Sequence, residues 1–163
     1  MYSLLVRVVI ICTLSAGLGI SVNFLSPHGV PLFGPVPIKM IPGVDIIEGK
    51  GAWESFQGKE AVFIDARSEE EYEKGHVPGA MLVNVDNFDE KISAMTVVLP
   101  YDTMVITYCS GSGCESSLEV AGLLKDAGYL RINVFYGGWQ LWKNSGYPIE
   151  TGLPLETAGE SIF

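Results

Sequence analysis

Met104-Val105-Ile106-Thr107-Tyr108-Cys109-Ser110-Gly111-Ser112-Gly113-Cys114 is the stretch on which the fold of this chain turns. The residues before Cys109 are apolar or β-favouring and read as a short strand. A turn of glycine and serine follows, then a second cysteine. From Glu115 to Ala127 the pattern becomes helical, with Leu118, Ala121, Leu124 and Lys125 at helical spacing and Gly128 as the stop. A thiol at the tip of a strand, over small residues and just before a helix, occupies the place of a nucleophile. Backbone N–H groups from Ser110 to Cys114 can converge on the sulfur, and the helix dipole favours negative charge there. The thiolate is the reactive form, and such settings lower a thiol pKa to roughly 3.5–7.5.

Outward from this stretch the chain alternates. Ala61-Val62-Phe63-Ile64 is a short apolar run, hence a buried strand. Ser68 can cap a helix holding Glu69, Glu70, Glu71 and Tyr72, with acids in its first turn as the dipole prefers. Gly75-His76-Val77-Pro78-Gly79 breaks that helix. Ala80 to Val85 reads as a strand and Asp86 to Ser93 as a short helix. Ile132 to Tyr136 is a last strand, followed by Gly137-Gly138 and a helical turn from Trp139 to Trp142. Strands separated by helices require crossover connections, so the class is α/β with a mainly parallel sheet covered on both faces. Ligands of such sheets bind beyond the carboxyl ends of the strands, and Cys109 lies at such an end.

The chain has 163 residues, enough for one domain with a proper core. Its 19 acidic residues all lie at or after Asp45, against eight basic ones there. That surface repels phosphate backbones and argues against nucleic-acid binding. Three cysteines are too few for a disulfide scaffold. Cys12 lies in an apolar segment and is inert. Zinc wants four ligands, and His28 and His76 have no partner at finger-like spacing, so no metal and no cofactor is expected.

Residues 4–25 are almost wholly apolar, with Arg7 the one charge. Roughly 20 residues at 1.5 Å rise cross the hydrocarbon of a bilayer. A membrane anchor and a signal peptide with Ser15-Ala16-Gly17 as its cleavage site both fit. The apolar pattern runs on through Ile20, Val22, Phe24 and Leu25, which suits an anchor better. A short N-terminus that stays in the cytoplasm with the domain exported is the simpler insertion, which places the domain outside the cytoplasm, on the periplasmic side. Residues 26–43 form a linker dense in proline and glycine, which excludes regular helix. Four segments result: 1–25 an anchor or signal, 26–43 the linker, 44–151 the α/β domain and 152–163 a C-terminal tail.

Three motifs then resemble the rhodanese homology domain. Phe63 to Tyr72 with Gly75-His76-Val77-Pro78-Gly79-Ala80 is similar to its N-terminal signature, Tyr108-Cys109 with the small-residue turn to its active-site loop, and Gly137-Gly138-Trp139, Trp142 and Gly146-Tyr147-Pro148 to its C-terminal signature. The resemblance implies a three-layer α/β/α domain with a five-stranded parallel sheet. It implies that Cys109 carries sulfane sulfur as a persulfide, with a small sulfur donor and a thiol acceptor as partners. One departure stands out: nothing from Ser110 to Ser117 is basic, which disfavours anionic donors such as thiosulfate.

Each candidate also has a plainer reading. Cys109 can be a small buried hydrophobe, but a glycine-rich turn after a strand is suited to backbone contact with a ligand. Cys114 either points into the core or faces Cys109 as a resolving thiol. Asp65, Arg67 and His76 read as residues that hold loops in place behind the site. Trp139 and Trp142 read as core, and Glu69, Glu70, Glu71 and Glu73 as a solvated face. A sulfurtransferase with Cys109 as nucleophile and Ser110, Gly111, Ser112, Gly113 and Cys114 as its binding loop leads. A thiol redox protein using a Cys109–Cys114 disulfide and a non-catalytic binding module compete with it. A phosphatase is rejected, because the position that would need the phosphate-binding arginine is Glu115.

Overall fold

The computed structural model describes residues 2–26, 40–112 and 114–153. The linker positions 27–39, Gly113 of the loop and the tail from 154 onward lie outside the described residues. The chain divides into two compact units, Met1–Lys39 and Met40–Phe163.

In the first unit, α1 (Tyr2–Leu25) is apolar on every side and its described side chains are almost all exposed. Ser3–Leu25 is long and apolar enough to cross a membrane. Its hydroxyls turn back on their own helix: Thr13 Oγ1 donates to the Val9 and Ile10 carbonyls and Ser21 Oγ to the Gly17 carbonyl. Such self-satisfied polar groups suit a helix in an apolar medium.

The second unit holds β1 (Val44–Ile47), α2 (Gly49–Gly58), β2 (Ala61–Asp65), α3 (Glu69–Lys74), β3 (Met81–Leu82), α4 (Phe88–Val98), β4 (Met104–Tyr108), α5 (Ser116–Asp126), β5 (Arg131–Phe135) and α6 (Gly138–Asn144). The five strands form one parallel sheet in the order β1-β5-β4-β2-β3. This is the five-stranded parallel sheet that the resemblance implies. The register aligns the strand ends in one row, Ile47, Phe135, Tyr108, Asp65 and Leu82. β4 is central, so the residue after Tyr108 emerges from the middle of that row.

Alternation along the strands assigns the two faces. Phe63, Ile106, Tyr108 and Phe135 form a core with Ala52 of α2, Tyr72 of α3 and Trp142 of α6. Trp142 is wholly buried, meets Trp53, Phe56 and Phe63 edge-on and donates its indole N–H to the Pro148 carbonyl. On the opposite face α5 buries Leu118, Ala121 and Leu124, and Thr107 Oγ1 donates to the Ser117 carbonyl at 2.9 Å.

The strand expected over Ala80–Val85 shrinks to Met81–Leu82. Asn84 and Asn87 explain this: each accepts the other's backbone N–H on its side-chain oxygen, at 2.9 and 3.1 Å, and turns the chain out of the sheet. The helix expected over Asp86–Ser93 starts at Phe88 and runs on to Val98, ending just ahead of Pro100. β1 and α2 carried no clear periodic signal. β1 has four residues at a sheet edge, and glycines open and close α2, which is held by its buried Ala52 and its packed Trp53 and Phe56 rather than by propensity.

Tyr72 lies in the core, where its hydroxyl donates to the Ala80 carbonyl at 2.6 Å. Burial first, and the negative charges of Glu150 and Asp65 second, push that hydroxyl up to about 12. An unfolded tyrosine ionises near pH 10, so the stabilisation is complete below that pH and is lost as pH rises towards about 12. Tyr72→Phe should cost about 1 kcal/mol near neutral pH and flatten the alkaline fall in stability. Denaturant midpoints measured across the alkaline range check both.

Candidate active site

Behind the Cys109 loop sits a buried carboxylate. Asp65, the last residue of β2, is wholly buried. It accepts from the Tyr108 hydroxyl at 2.6 Å, the Arg67 backbone N–H at 3.0 Å and Arg67 Nε at 2.9 Å. The Arg67 guanidinium is buried too; its Nη2 donates to the Gly75 carbonyl at 2.8 Å, and its plane lies 4.8 Å from the Trp139 ring centre. Burial opposes the Arg67 charge, and the hydrogen bonds and charge of Asp65 outweigh it, so its pKa is raised. The Tyr108 hydroxyl also accepts the Val77 N–H at 3.1 Å, and burial followed by the Asp65 charge raises its pKa. Asp65, Arg67 and Tyr108 thus tie together the ends of β2 and β4 and the Gly75–Val77 turn.

His76 belongs to that turn and not to the Cys109 loop. Its ring stacks on Tyr72 with centres 3.6 Å apart, and Nδ1 donates to the Tyr72 carbonyl at 2.9 Å. Its backbone pairs with Glu150, fixing the C-terminal segment against α3.

Cys109 is only 2% exposed. Ser117 Oγ, in the first turn of α5, donates to its sulfur at 3.4 Å. The Cys109 sulfur therefore sits at a helix start, where negative charge is favoured. The loop carbonyls are held by α6: the Trp139 N–H donates to the Cys109 carbonyl at 2.8 Å and the Gln140 N–H to the Ser110 carbonyl at 3.0 Å. Helix N–H groups that would otherwise lack partners fix the loop. This close approach requires Gly138, whose φ is +55°. A Cβ there would collide with the Cys109 carbonyl and lie 2.9 Å from the Gly111 nitrogen.

Cys109 and Cys114 are joined as a disulfide, with Cα atoms 6.3 Å apart. Cys114 thus faces Cys109 rather than the core. It lines an open cleft of about 430 Å³ with Arg67, Glu69, Glu71, Ser110 and Ser116. On the other side of the loop Ser112 borders a second cleft of about 460 Å³ with Ile47, Lys50, Tyr136 and Leu141. The Cys114 N–H donates to the Gly111 carbonyl at 3.0 Å, closing a turn, so it does not point at the sulfur as the sequence suggested. Glu71 is more than a solvated acid. It closes a capping box with Ser68 and accepts from Ser110 Oγ at 3.0 Å. Sequence reasoning missed this contact, although the Ser68-x-x-Glu71 spacing was visible. It missed Ser117 as well, since nothing local ties a serine eight positions on to Cys109. Among the described residues no group of histidine, cysteine and acidic side chains is arranged to hold a metal.

The domain that carries this site is similar to known proteins. A family model described as Rhodanese-like domain matches residues 50–145. The chain belongs to this family. A thiosulfate sulfurtransferase of Escherichia coli (strain K12) is 30% identical over 100 residues, covering 54% of this chain and 22% of that protein. A thiosulfate sulfurtransferase of Actinobacillus succinogenes is 28% identical over 105 residues, covering 64% of this chain and 89% of that one. The crystal structure of the Alr3790 protein from Anabaena sp. superposes with a TM-score of 0.58 at 21% identity, covering 69% of this chain and 85% of that one, a likeness of fold. The chain spans well under half the length of several relatives, 40% in a HTH-type transcriptional regulator of Mycobacterium tuberculosis and 22% in the Escherichia coli protein. The rhodanese-like domain is thus a unit found within larger proteins as well as in short ones.

In this rhodanese-like domain Gly138→Ala should lower stability by about 1–3 kcal/mol and slow closure of the Cys109–Cys114 disulfide. Thermal unfolding and thiol titration during reoxidation check the two effects.

Proposed function

We propose that this rhodanese-like protein is a sulfurtransferase that carries sulfane sulfur as a persulfide on Cys109. The observation that carries this reading is the seat of Cys109: a buried sulfur at the end of the central strand, hydrogen-bonded by Ser117 Oγ at the start of α5. The thiolate attacks the outer sulfur of a donor, the donor's remainder leaves with the bonding electrons, and the sulfur stays on Cys109. A thiol or cyanide acceptor then removes it, in a ping-pong cycle. Glu69 and Glu71 on the cleft and the exposed Glu115 after the loop give the approach negative charge. A neutral or thiol-based persulfide is thereby favoured over thiosulfate as donor. The Cys109–Cys114 disulfide favours a second reading, a thiol redox protein.

Cys109→Ser should abolish cyanide-dependent thiocyanate formation from a persulfide donor while leaving the thermal transition of the reduced protein in place, because a hydroxyl cannot hold sulfane sulfur. Thiocyanate formation near the wild-type rate would show that another group is the nucleophile.

We also propose that α1 anchors the protein in a membrane with the domain outside the cytoplasm. The support is the length and apolar surface of Ser3–Leu25, and a disulfide that suits an oxidising compartment. The full chain should fractionate with membranes, and a fragment starting near Ile38 should be soluble. Recovery of a soluble chain whose N-terminus begins near Gly17 would instead identify the segment before Gly17 as a cleaved signal.

A further inference from the structure

Simple sulfur transfer leaves one reactive group at this site without a task. Cys114 reaches the sulfur of Cys109 and is bonded to it, yet a sulfurtransferase cycle needs only one thiol. The two cysteines also sit in unlike surroundings. Cys109 is buried against Ser117, while Cys114 is half-exposed and opens onto the cleft it shares with Glu71 and Ser110.

We infer that Cys114 resolves the Cys109 persulfide, expelling its outer sulfur as hydrosulfide and leaving the Cys109–Cys114 disulfide, which makes this site a thiol-dependent persulfide reductase. The inference rests on the persulfide reading given above. Cys114 loses its proton to water in the cleft and attacks Sγ of Cys109. The bond between the two cysteine sulfurs forms as the bond from Cys109 to the outer sulfur breaks, and the electron pair leaves with that sulfur as HS⁻. The sulfane sulfur gains two electrons, and the two cysteine thiols are oxidised to the disulfide.

A second substrate must then restore the dithiol, and its class is an external thiol, either a small thiol or a dithiol protein. The unequal burial sets the order of events. The external thiolate attacks Sγ of Cys114 from the cleft, and Cys109 departs as a thiolate beside the Ser117 hydroxyl. A second thiol frees Cys114 from the mixed disulfide. One persulfide and two thiols thus become one thiol, one disulfide and one hydrogen sulfide. A reaction that produces persulfides must precede this site, and one that consumes sulfide must follow it.

The test uses the full-length protein, reduced, freed of small thiols and given one equivalent of glutathione persulfide without an acceptor. Intact mass and released hydrosulfide are followed together. Wild type should end two hydrogens lighter than the reduced chain and release hydrosulfide in proportion to protein. Cys114→Ser should hold one extra sulfur atom, release hydrosulfide at least about tenfold more slowly and yield thiocyanate when cyanide is added. Cys114→Ala should behave as Cys114→Ser, which excludes an effect of the serine hydroxyl. Wild type that keeps the extra sulfur as long as both variants, with equal hydrosulfide release, overturns the resolving role and leaves sulfur carriage standing. Variants that acquire no sulfur and form no thiocyanate overturn the persulfide reading itself.

Discussion

The Asp65 carboxylate organises this domain. It is fully buried, and a buried charge is tolerated only where partners replace the water it has lost. Here the partners come from three parts of the chain: the Arg67 guanidinium and backbone just beyond β2, the Tyr108 hydroxyl at the end of β4, and through Tyr108 the Val77 N–H of the turn after α3. Removing one partner leaves a charge or a donor stranded, so the group acts as a unit. Its use is positional. Tyr108 immediately precedes Cys109, and a Tyr108 ring fixed by Asp65 fixes where the loop leaves the sheet.

The loop itself has few side chains able to hold its shape. It is held from outside, by α6 N–H groups on the Cys109 and Ser110 carbonyls and by Glu71 on the Ser110 hydroxyl. Trp139 serves both systems. Its backbone N–H holds the Cys109 carbonyl, while its ring lies over the Arg67 guanidinium and against Gly75. The Gly-Gly-Trp segment and the Asp-x-Arg segment, 70 residues apart in the chain, thus meet at the base of one loop. Cys109 stays buried, and the more accessible end of the pair is Cys114.

The fold was legible in the order and spacing of short motifs. Apolar runs at 61–64, 104–108 and 132–136, separated by helical patterns, imply a parallel sheet because each intervening helix is a crossover that returns the chain to the same end of the sheet. The edge strand β1 and its helix α2 were not legible residue by residue. Four residues at a sheet edge are too few to show a clear alternation, and a glycine-flanked helix gives little propensity. α4 ran past its expected end because no breaker intervenes before Pro100.

For the site, the sequence by itself determined the nucleophile candidate: a thiol between a strand and a helix, over a turn of small residues, is a local pattern and needs no tertiary contact to be read. It also determined the helix cap at Ser68 and the long apolar N-terminal run, because capping and hydropathy are properties of neighbouring residues. Only the tertiary structure decided what each group does with its neighbours. Whether Cys114 faces Cys109 or the core depends on how the loop is folded back by α6. Whether Glu71 is solvent-facing or a partner of Ser110 depends on α3 lying beside β4's loop. Whether Asp65 is a loop residue or a buried anchor depends on β2 and β4 pairing in register. Those outcomes are set by contacts between segments tens of residues apart, and no periodicity along the chain encodes them.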